Sequence, residues 1–313
     1  MSEKKKTTRQ LAAERLLEDD DVRYGNWFVR YCYRPKFLLL LAFIPLAIVV
    51  VPKIRQWMPD LSQSKDYQIK SADIKVTPPP RWVPEDIVEQ VIQKASLPEK
   101  LSLLNEQLTS EIAAAFEQHP WVKEVLQVQK KSPAGISVEL KYRKPAAMIS
   151  VKQRVYPVSE EGVFLPPGDF SQTDTERYPL VINVQSVPQG SAGELWGDPT
   201  VLGAARLAKS LQDSWKSLHL AAIEVPNQIK ANEKIGEMTF RLITIGGSEI
   251  IWGKTAGVTP SKELSVSQKI KRLQNYQKKF GRLDRPIGPY EIDIRYLERM
   301  VRKPLSQNGL LRQ

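Results

Sequence analysis

The run at 37–51, FLLLLAFIPLAIVVV, holds fifteen residues with no charged or strongly polar side chain. As a helix rising 1.5 Å per residue it spans about 22 Å. A bilayer's hydrocarbon core is ~30 Å thick and takes about 20 residues. Length alone therefore leaves a membrane span and a buried core helix both open, and the flanks decide between them. Arg34 and Lys36 precede the run, Lys53 and Arg55 follow it, and such side chains snorkel to extend a short span. Tyr31, Tyr33 and Trp57 bracket it as interfacial aromatics do. Pro45 is costly in a soluble helix but tolerated in a membrane one. The expectation is one transmembrane helix over 37–57, with Phe37, Leu41, Pro45 and Val51 among its anchoring residues.

Charge does not orient that helix. Arg23, Arg30, Arg34 and Lys36 lie on one side and Lys53, Arg55, Lys65 and Lys70 on the other, which ties the positive-inside comparison. The short polar lead and the large remainder fit a signal anchor with its N-terminus in the cytoplasm. The lead is long and charged, and no small-x-small pattern follows the run, so cleavage is not expected.

Composition narrows the rest. The chain has 313 residues, enough for about two domains plus accessory segments. It is 42% hydrophobic and 26% charged, which suits a folded core. The net charge of +11 admits nucleic acid or anionic lipid as a partner, but Lys and Arg alternate with Asp and Glu along the chain. A solvated surface is the plainer reading, and no nucleic-acid partner is expected. A single cysteine, Cys32, excludes an internal disulfide; with only His119 and His219 beside it, a Cys/His zinc site is not expected.

Beyond a polar connector, residues 67–76 alternate as a strand, and the TPPP at 77–80 stops it. Ile87, Val88, Val91, Ile92 and Ala95 mark one helix face. A second helix is expected over 103–118, with Leu104, Leu108, Ile112, Ala115 and Phe116 on one stripe. Residues 122–130 read as a strand and 132–135 as a turn. Then Ile136, Val138, Leu140 and Tyr142 alternate with polar neighbours, apolar on one face only. The order is β-α-α-β-β.

Further along, AAMISV, RVYPVS and 179–184 read as short strands. Asp198-Pro199 is an N-cap and first-turn pair for a helix with Leu202, Ala205, Ala208, Leu211 and Trp215 inward. Strands at 237–245 and 248–252 flank Gly246-Gly247, the signal of a two-residue hairpin. Residues 261–280 form a basic amphipathic helix with Val266, Ile270, Leu273 and Phe280 inward. Its cations (Lys262, Lys269, Lys271, Arg272, Lys278, Lys279) read as a solvated face rather than a lipid or nucleic-acid contact. YEIDIRY at 290–296 closes the pattern as a strand.

These parts resemble, in order, the FtsQ/DivIB family of bacterial division proteins. The first unit is similar to its POTRA domain through Pro120-Trp121-Val122, Val125, Val128, Pro133, Ile136, Val138 and Lys144-Pro145-Ala146. The second is similar to its β domain through Tyr156, Val158, Gly162, Val163 and Phe164, through IIWGK at 250–254, and through Asp293, Arg295 and Tyr296 of EIDIRY. The sequence departs from the family where Leu297-Glu298-Arg299 replaces a glycine-containing turn.

The fold class expected is α+β: a single N-terminal transmembrane helix, a βααββ POTRA domain, then a mixed β-sheet domain with covering helices. The boundaries are 1–36 cytoplasmic, 37–57 membrane, 67–145 POTRA, 146–303 β domain and 304–313 tail. The resemblance implies a bitopic scaffold of the cytoplasmic membrane at the division septum. It would link early and late division proteins through FtsB/FtsL-like coiled-coil partners held on the β domain's last edge. Arg295 and Tyr296 are carried over as contacts, and Met300 and Val301 as members of the last strand.

No enzyme is expected. His119 and His219 read as junction or surface histidines, and Gly246-Gly247 lacks the strand-to-helix context and the Lys-Ser/Thr of a phosphate loop. Asp293 and Arg295 read either as a cross-strand ion pair or as groups presenting the terminal strand. No cofactor, metal or small-molecule substrate is implied. Two alternatives stand beside the scaffold. A POTRA-type chaperone in outer-membrane assembly usually carries repeated modules and a barrel, which the sequence lacks. An enzyme acting on cell wall or nucleic acid finds no constellation to support it.

Overall fold

The computed structural model describes residues 50–51, 53, 64–227, 238–254, 263–296 and 298–305. Lys65–Gln313 forms one compact unit, separate from Met1–Ser64. Among the described residues both apolar clusters lie inside the larger unit, so it carries its own cores and folds as a piece.

The smaller cluster is built by β1 (Gln68–Lys70), β2 (Lys75–Val76), α1 (Ile87–Ala95), β3 (Lys100–Ser102), α2 (Leu108–Glu117), β4 (Val122–Lys131) and β5 (Gly135–Tyr142). β5 is central in a three-stranded sheet, parallel to β2 and antiparallel to β4. Its alternation holds: Ile136, Val138 and Leu140 are buried against Ile87, Val91, Ile112 and Phe116 of the two helices. α1 stops at Ser96, whose left-handed backbone (φ 52°) ends the turn.

Three expectations for this region are corrected. The strand at 67–76 is broken by a 3-10 turn at Ser71–Asp73, so β1 pairs with β3 in a separate ribbon and only β2 joins the sheet. Residues 103–107 are not helical. Asn105 Oδ1 accepts the Gln107 N–H at 2.9 Å, a local side-chain bond that competes with helix, and Leu104 is exposed. The order is therefore β-β-α-β-α-β-β, not β-α-α-β-β.

The larger cluster surrounds an eight-stranded mixed sheet. Its strands are β6 (Pro145–Val151), β7 (Arg154–Ser159), β8 (Leu180–Ile182), β9 (Leu220–Glu224), β10 (Phe240–Thr244), β11 (Glu249–Gly253), β12 (Tyr290–Asp293) and β13 (Val301–Pro304). The spatial order is β13-β12-β11-β10-β9-β8-β6-β7. β6, β8 and β9 run parallel, as do β11 and β12, and the other neighbours are antiparallel. The short helix α3 (Gln172–Thr175) opens on a capping box between Ser171 and Asp174. α4 (Pro199–Leu211) starts where Asp198 Oδ1 accepts the Thr200 N–H at 2.8 Å, and it packs on β6. It is buried on more than the expected stripe: Val201, Ala204 and Leu207 are as enclosed as Ala205, Ala208 and Leu211. α5 (Val266–Phe280) opens on a second capping box, Ser265 with Gln268, and drives Leu273 into the core.

The expected fold class is itself corrected. Among the described residues no helix is long and apolar enough to cross a membrane. Of the anchoring residues, Val51 is helical and exposed, whereas Phe37, Leu41 and Pro45 lie outside the described residues. At about 22 Å the apolar run was short of a bilayer from the start, and only its flanks carried the expectation. What the structure has is five helices beside a large mixed sheet, a three-stranded sheet and a two-stranded ribbon, counted over the described residues.

Two details of the large sheet also differ from expectation. Thr244 donates its N–H to Ser248 O at 2.9 Å, so the β10–β11 loop is three residues, with Gly247 left-handed at φ 81°. That is a type of hairpin in which the third loop residue needs positive φ. Lys269 is not on a solvated face. It is 2% exposed, donates to Trp252 O at 2.6 Å and to Glu263 Oε2 at 2.8 Å, and stands 5.3 Å from the Trp252 ring. Burial pulls its pKa below the ordinary lysine value, and Glu263 works against that shift.

A buried charge that loses its partner costs about 3–5 kcal/mol, while an apolar pair in its place is often neutral. Glu263→Ala is therefore expected to destabilise the unit by about 3 kcal/mol in urea unfolding. Adding Lys269→Met should restore most of that loss. A double variant no more stable than Glu263→Ala alone would contradict this view of the pair.

Candidate functional site: the β12–β13 edge

β13 is the outer strand of the large sheet, and four of its residues pair with β12: Val301 with Asp293, Arg302 with Ile292, Lys303 with Glu291, Pro304 with Tyr290. Which of its backbone groups face outward follows from the bonds on either side. Leu305 donates its N–H to Pro289 O at 3.0 Å, and Ile294 donates to Ile251 O at 3.4 Å. Antiparallel pairing alternates every second residue. Val301 and Lys303 therefore turn their N–H and C=O toward β12, and Arg302 turns its own toward the outer edge, where no strand pairs among the described residues. At Pro304 the outward position has no N–H at all, as is common on exposed rims.

The side chains divide in the same alternating way. Tyr290 and Ile292 are buried in the large core. On the other face Glu291, Asp293, Val301 and Lys303, with Tyr296, Glu298 and Arg299 from the connecting segment, line an open groove of about 720 Å³. It is a shallow trough along a strand rather than a closed chamber.

Arg302 holds the edge down. Its guanidinium lies 4.1 Å from the centre of the Tyr290 ring and 5.8 Å from that of Tyr276. It also donates to the Tyr276 hydroxyl and, at 3.1 Å, to Arg285 O. Neither composition nor spacing singled out this residue. The signal available was its place in alternation with Val301 and Lys303, opposite Ile292 and so on the same face as Tyr290.

The residues expected at this site fall in distinct places. Arg295 pairs with Asp293 within one strand end, not across strands: Nη2 to Oδ2 is 2.7 Å, Nε to Oδ1 is 3.0 Å, and the Arg295 N–H reaches Oδ1 at 3.1 Å. Burial works to raise the Asp293 pKa, but these bonds prevail and hold it below the ordinary carboxylate value. Tyr296 is exposed, 5.8 Å from Arg295, and its carbonyl accepts from Arg272. Met300 is half-buried against the large core, and Val301 begins β13. Gly253 of the IIWGK segment sits beneath them at φ 87°. A Cβ there would lie 2.3 Å from Glu263 Oε2 and 3.0 Å from Arg295 Cγ, and the positive φ strains any residue other than glycine.

Pro120-Trp121-Val122 lies elsewhere, at the join of the two clusters. Trp121 is fully buried; its indole donates to Asp169 Oδ2 at 2.7 Å and its ring centre is 5.7 Å from that of Phe170. Val122 is buried and starts β4. Pro120 Cα would be 3.1 Å from a Cβ on Gly193. Lys123 clasps Glu161, which Ser159 also bonds. These contacts tie the small sheet to the segment after β7.

His119 belongs to the same join. Its Nδ1 receives the Trp121 N–H at 3.4 Å, and its Nε2 faces Gln90 Oε1 at 3.1 Å. His219 is held by Ser217 O and Gln277, each at 3.1 Å. Among the described residues no cluster of three or more His, Cys, Asp or Glu could hold a metal ion. Comparison of the chain with family models and with curated proteins returns no match.

Burial, helped by the Lys94 charge and opposed by Asp169 and Asp86, lowers the His119 pKa from 6.5 to about 4. The fold thus favours the neutral ring, and the unfolded chain binds the extra proton between those values. The His119 contribution to stability is complete above pH 6.5 and is lost as pH falls toward 4. Between pH 7 and pH 5 the wild type should lose about 2 kcal/mol more than His119→Gln in parallel urea titrations. Equal losses would show that the ring does not titrate in this way.

Proposed function

We propose that this chain is a non-enzymatic scaffold that takes an extended segment of another protein onto the free edge of β13. The proposal includes its kinship with FtsQ/DivIB-type division proteins. It also includes the partners, small coiled-coil proteins like FtsB and FtsL, and the location, the outer side of the cytoplasmic membrane at the septum. Nucleic acid and small-molecule substrates are not part of this reading.

The observation that carries it is the outward-facing backbone of Arg302 on an edge strand flanked by an open groove. An added strand would draw affinity from main-chain hydrogen bonds, and the alternating groove residues would select its side chains. The groove has both signs of charge, Glu291, Asp293 and Glu298 against Arg299 and Lys303, which suits a segment of mixed charge in one register. Arg295 is spent on Asp293, so its role in this reading is to fix the strand end and the Tyr296 ring rather than to offer a free cation.

Capture of FtsB-like and FtsL-like segments by residues 64–313 tests the proposal. Arg302→Pro removes the outward N–H together with the guanidinium, whereas Arg302→Ala removes only the latter. Capture should fall about tenfold further in the proline variant than in the alanine one, as expected for one lost main-chain bond. Tyr296→Glu, at an exposed ring, should weaken capture without unfolding the protein. Undiminished capture by folded Arg302→Pro and Tyr296→Glu would reject edge binding.

A further inference from the structure

The C-terminal end of α5 contradicts its own sequence pattern. Phe280 was expected inward, yet it is 65% exposed, and its ring lies along the helix against Tyr276, 4.9 Å between centres. Ile287, in the turn that follows, is 86% exposed, and Ile245 on the β10–β11 loop is 67% exposed.

Contacts bring these three to one tip of the large sheet. Gly246 packs so close to Asp284 that a Cβ would lie 2.3 Å from its Cγ, which seats the hairpin loop against the turn after α5. The Tyr290 hydroxyl accepts the Ile287 N–H at 3.1 Å, and Arg302 bridges Tyr290, Tyr276 and Arg285 O. Phe280 and Ile287 are therefore two ends of one short chain of contacts.

Three cations lie close to Phe280 and Ile287 in sequence. Lys278, Lys279 and Arg285 are exposed and enter no ion pair among the described residues. The carboxylate in the same turn, Asp284, is only 12% exposed. It accepts from the Thr244 hydroxyl and faces Arg282 at 3.5 Å, so it offers little negative charge to the surface.

We propose that this tip is a contact for an anionic phospholipid surface, with Phe280, Ile287 and Ile245 entering the interface and Lys278, Lys279 and Arg285 meeting the headgroups. An apolar centre inside a rim of one charge sign is the pattern of interfacial membrane binding. A second copy of the chain would bring the same cations against themselves. An acidic protein segment would satisfy the cations but leaves the apolar centre unexplained. The inference does not rest on edge binding, since it uses none of the groove residues and its test contains no protein partner.

Residues 64–313, which carry their own cores, are mixed with vesicles of phosphatidylglycerol and phosphatidylcholine, or of phosphatidylcholine alone, and sedimented. Binding is expected to the first and not to the second. Each cation lost should weaken it about fivefold, so Lys278→Glu with Lys279→Glu costs at least about 25-fold. Phe280→Ser with Ile287→Ser should cost tenfold or more, with the thermal unfolding of both variants unchanged. Four results would each overturn the proposal. One is absence of binding to anionic vesicles. The second is binding insensitive to the serine pair, which reduces the tip to diffuse charge. The third is a dimer, seen by ultracentrifugation, that the same substitutions dissolve. The fourth is poly-glutamate binding as tight as the vesicles.

Discussion

A backbone N–H at the rim of a β-sheet has to be satisfied by water or by another chain. At β13 the described residues meet that requirement on one side only. The parallel step from β11 to β12 and the antiparallel step to β13 commit alternate residues inward, leaving Arg302 to face out. The other outer strand of this sheet, β7, is followed by a segment that folds back along it through the Val158–Phe164 bridge and the bond from the Leu165 N–H to Pro157 O. The two rims of one sheet are thus treated differently: one is covered by its own chain, and beside the other no further strand pairs among the described residues.

What keeps the open rim in place is not its own short ladder. A four-residue strand contributes little alone, and β13 is exposed along most of its length. Its anchor is the Arg302 guanidinium laid over Tyr290 and Tyr276, which fastens the edge to α5 and to the turn before β12. Beneath the other end, Gly253 lets Glu263 and Arg295 approach, and Glu263 in turn satisfies buried Lys269. Edge, helix and hairpin therefore share one set of contacts. The groove sits on a rigid support while the backbone bonds at its rim stay available.

The strongest periodicities in the sequence translated directly into structure. The alternation of Ile136, Val138 and Leu140 and the Asp198-Pro199 start of α4 both did so, because each depends on local geometry and one buried face. The break after Lys70 did not show, since residues on both sides of it alternate alike and only pairing with different partners separates them. Lys269 and Phe280 exchanged their expected places. Helical spacing assigns a face but not what lies across from it, and here Trp252 O and Glu263 make a lysine acceptable inside, while Phe280 at the end of α5 stays 65% exposed. For Asp293 and Arg295 the sequence leaves open a cross-strand ion pair or groups presenting the terminal strand. That their bond runs along the chain rather than between strands is decided by the turn after Asp293, which spacing does not encode. Arg302 was missed because its importance comes from two tyrosines far away in sequence.

Amide hydrogen exchange at the last strand tests the central claim most directly. In residues 64–313 alone, the amides of Val301 and Lys303, bonded to β12, should exchange slowly and that of Arg302 quickly. With an FtsB-like segment bound, the Arg302 amide should slow at least tenfold while its two neighbours change little. A bound segment that leaves the Arg302 amide exchanging at its free rate would contradict the account.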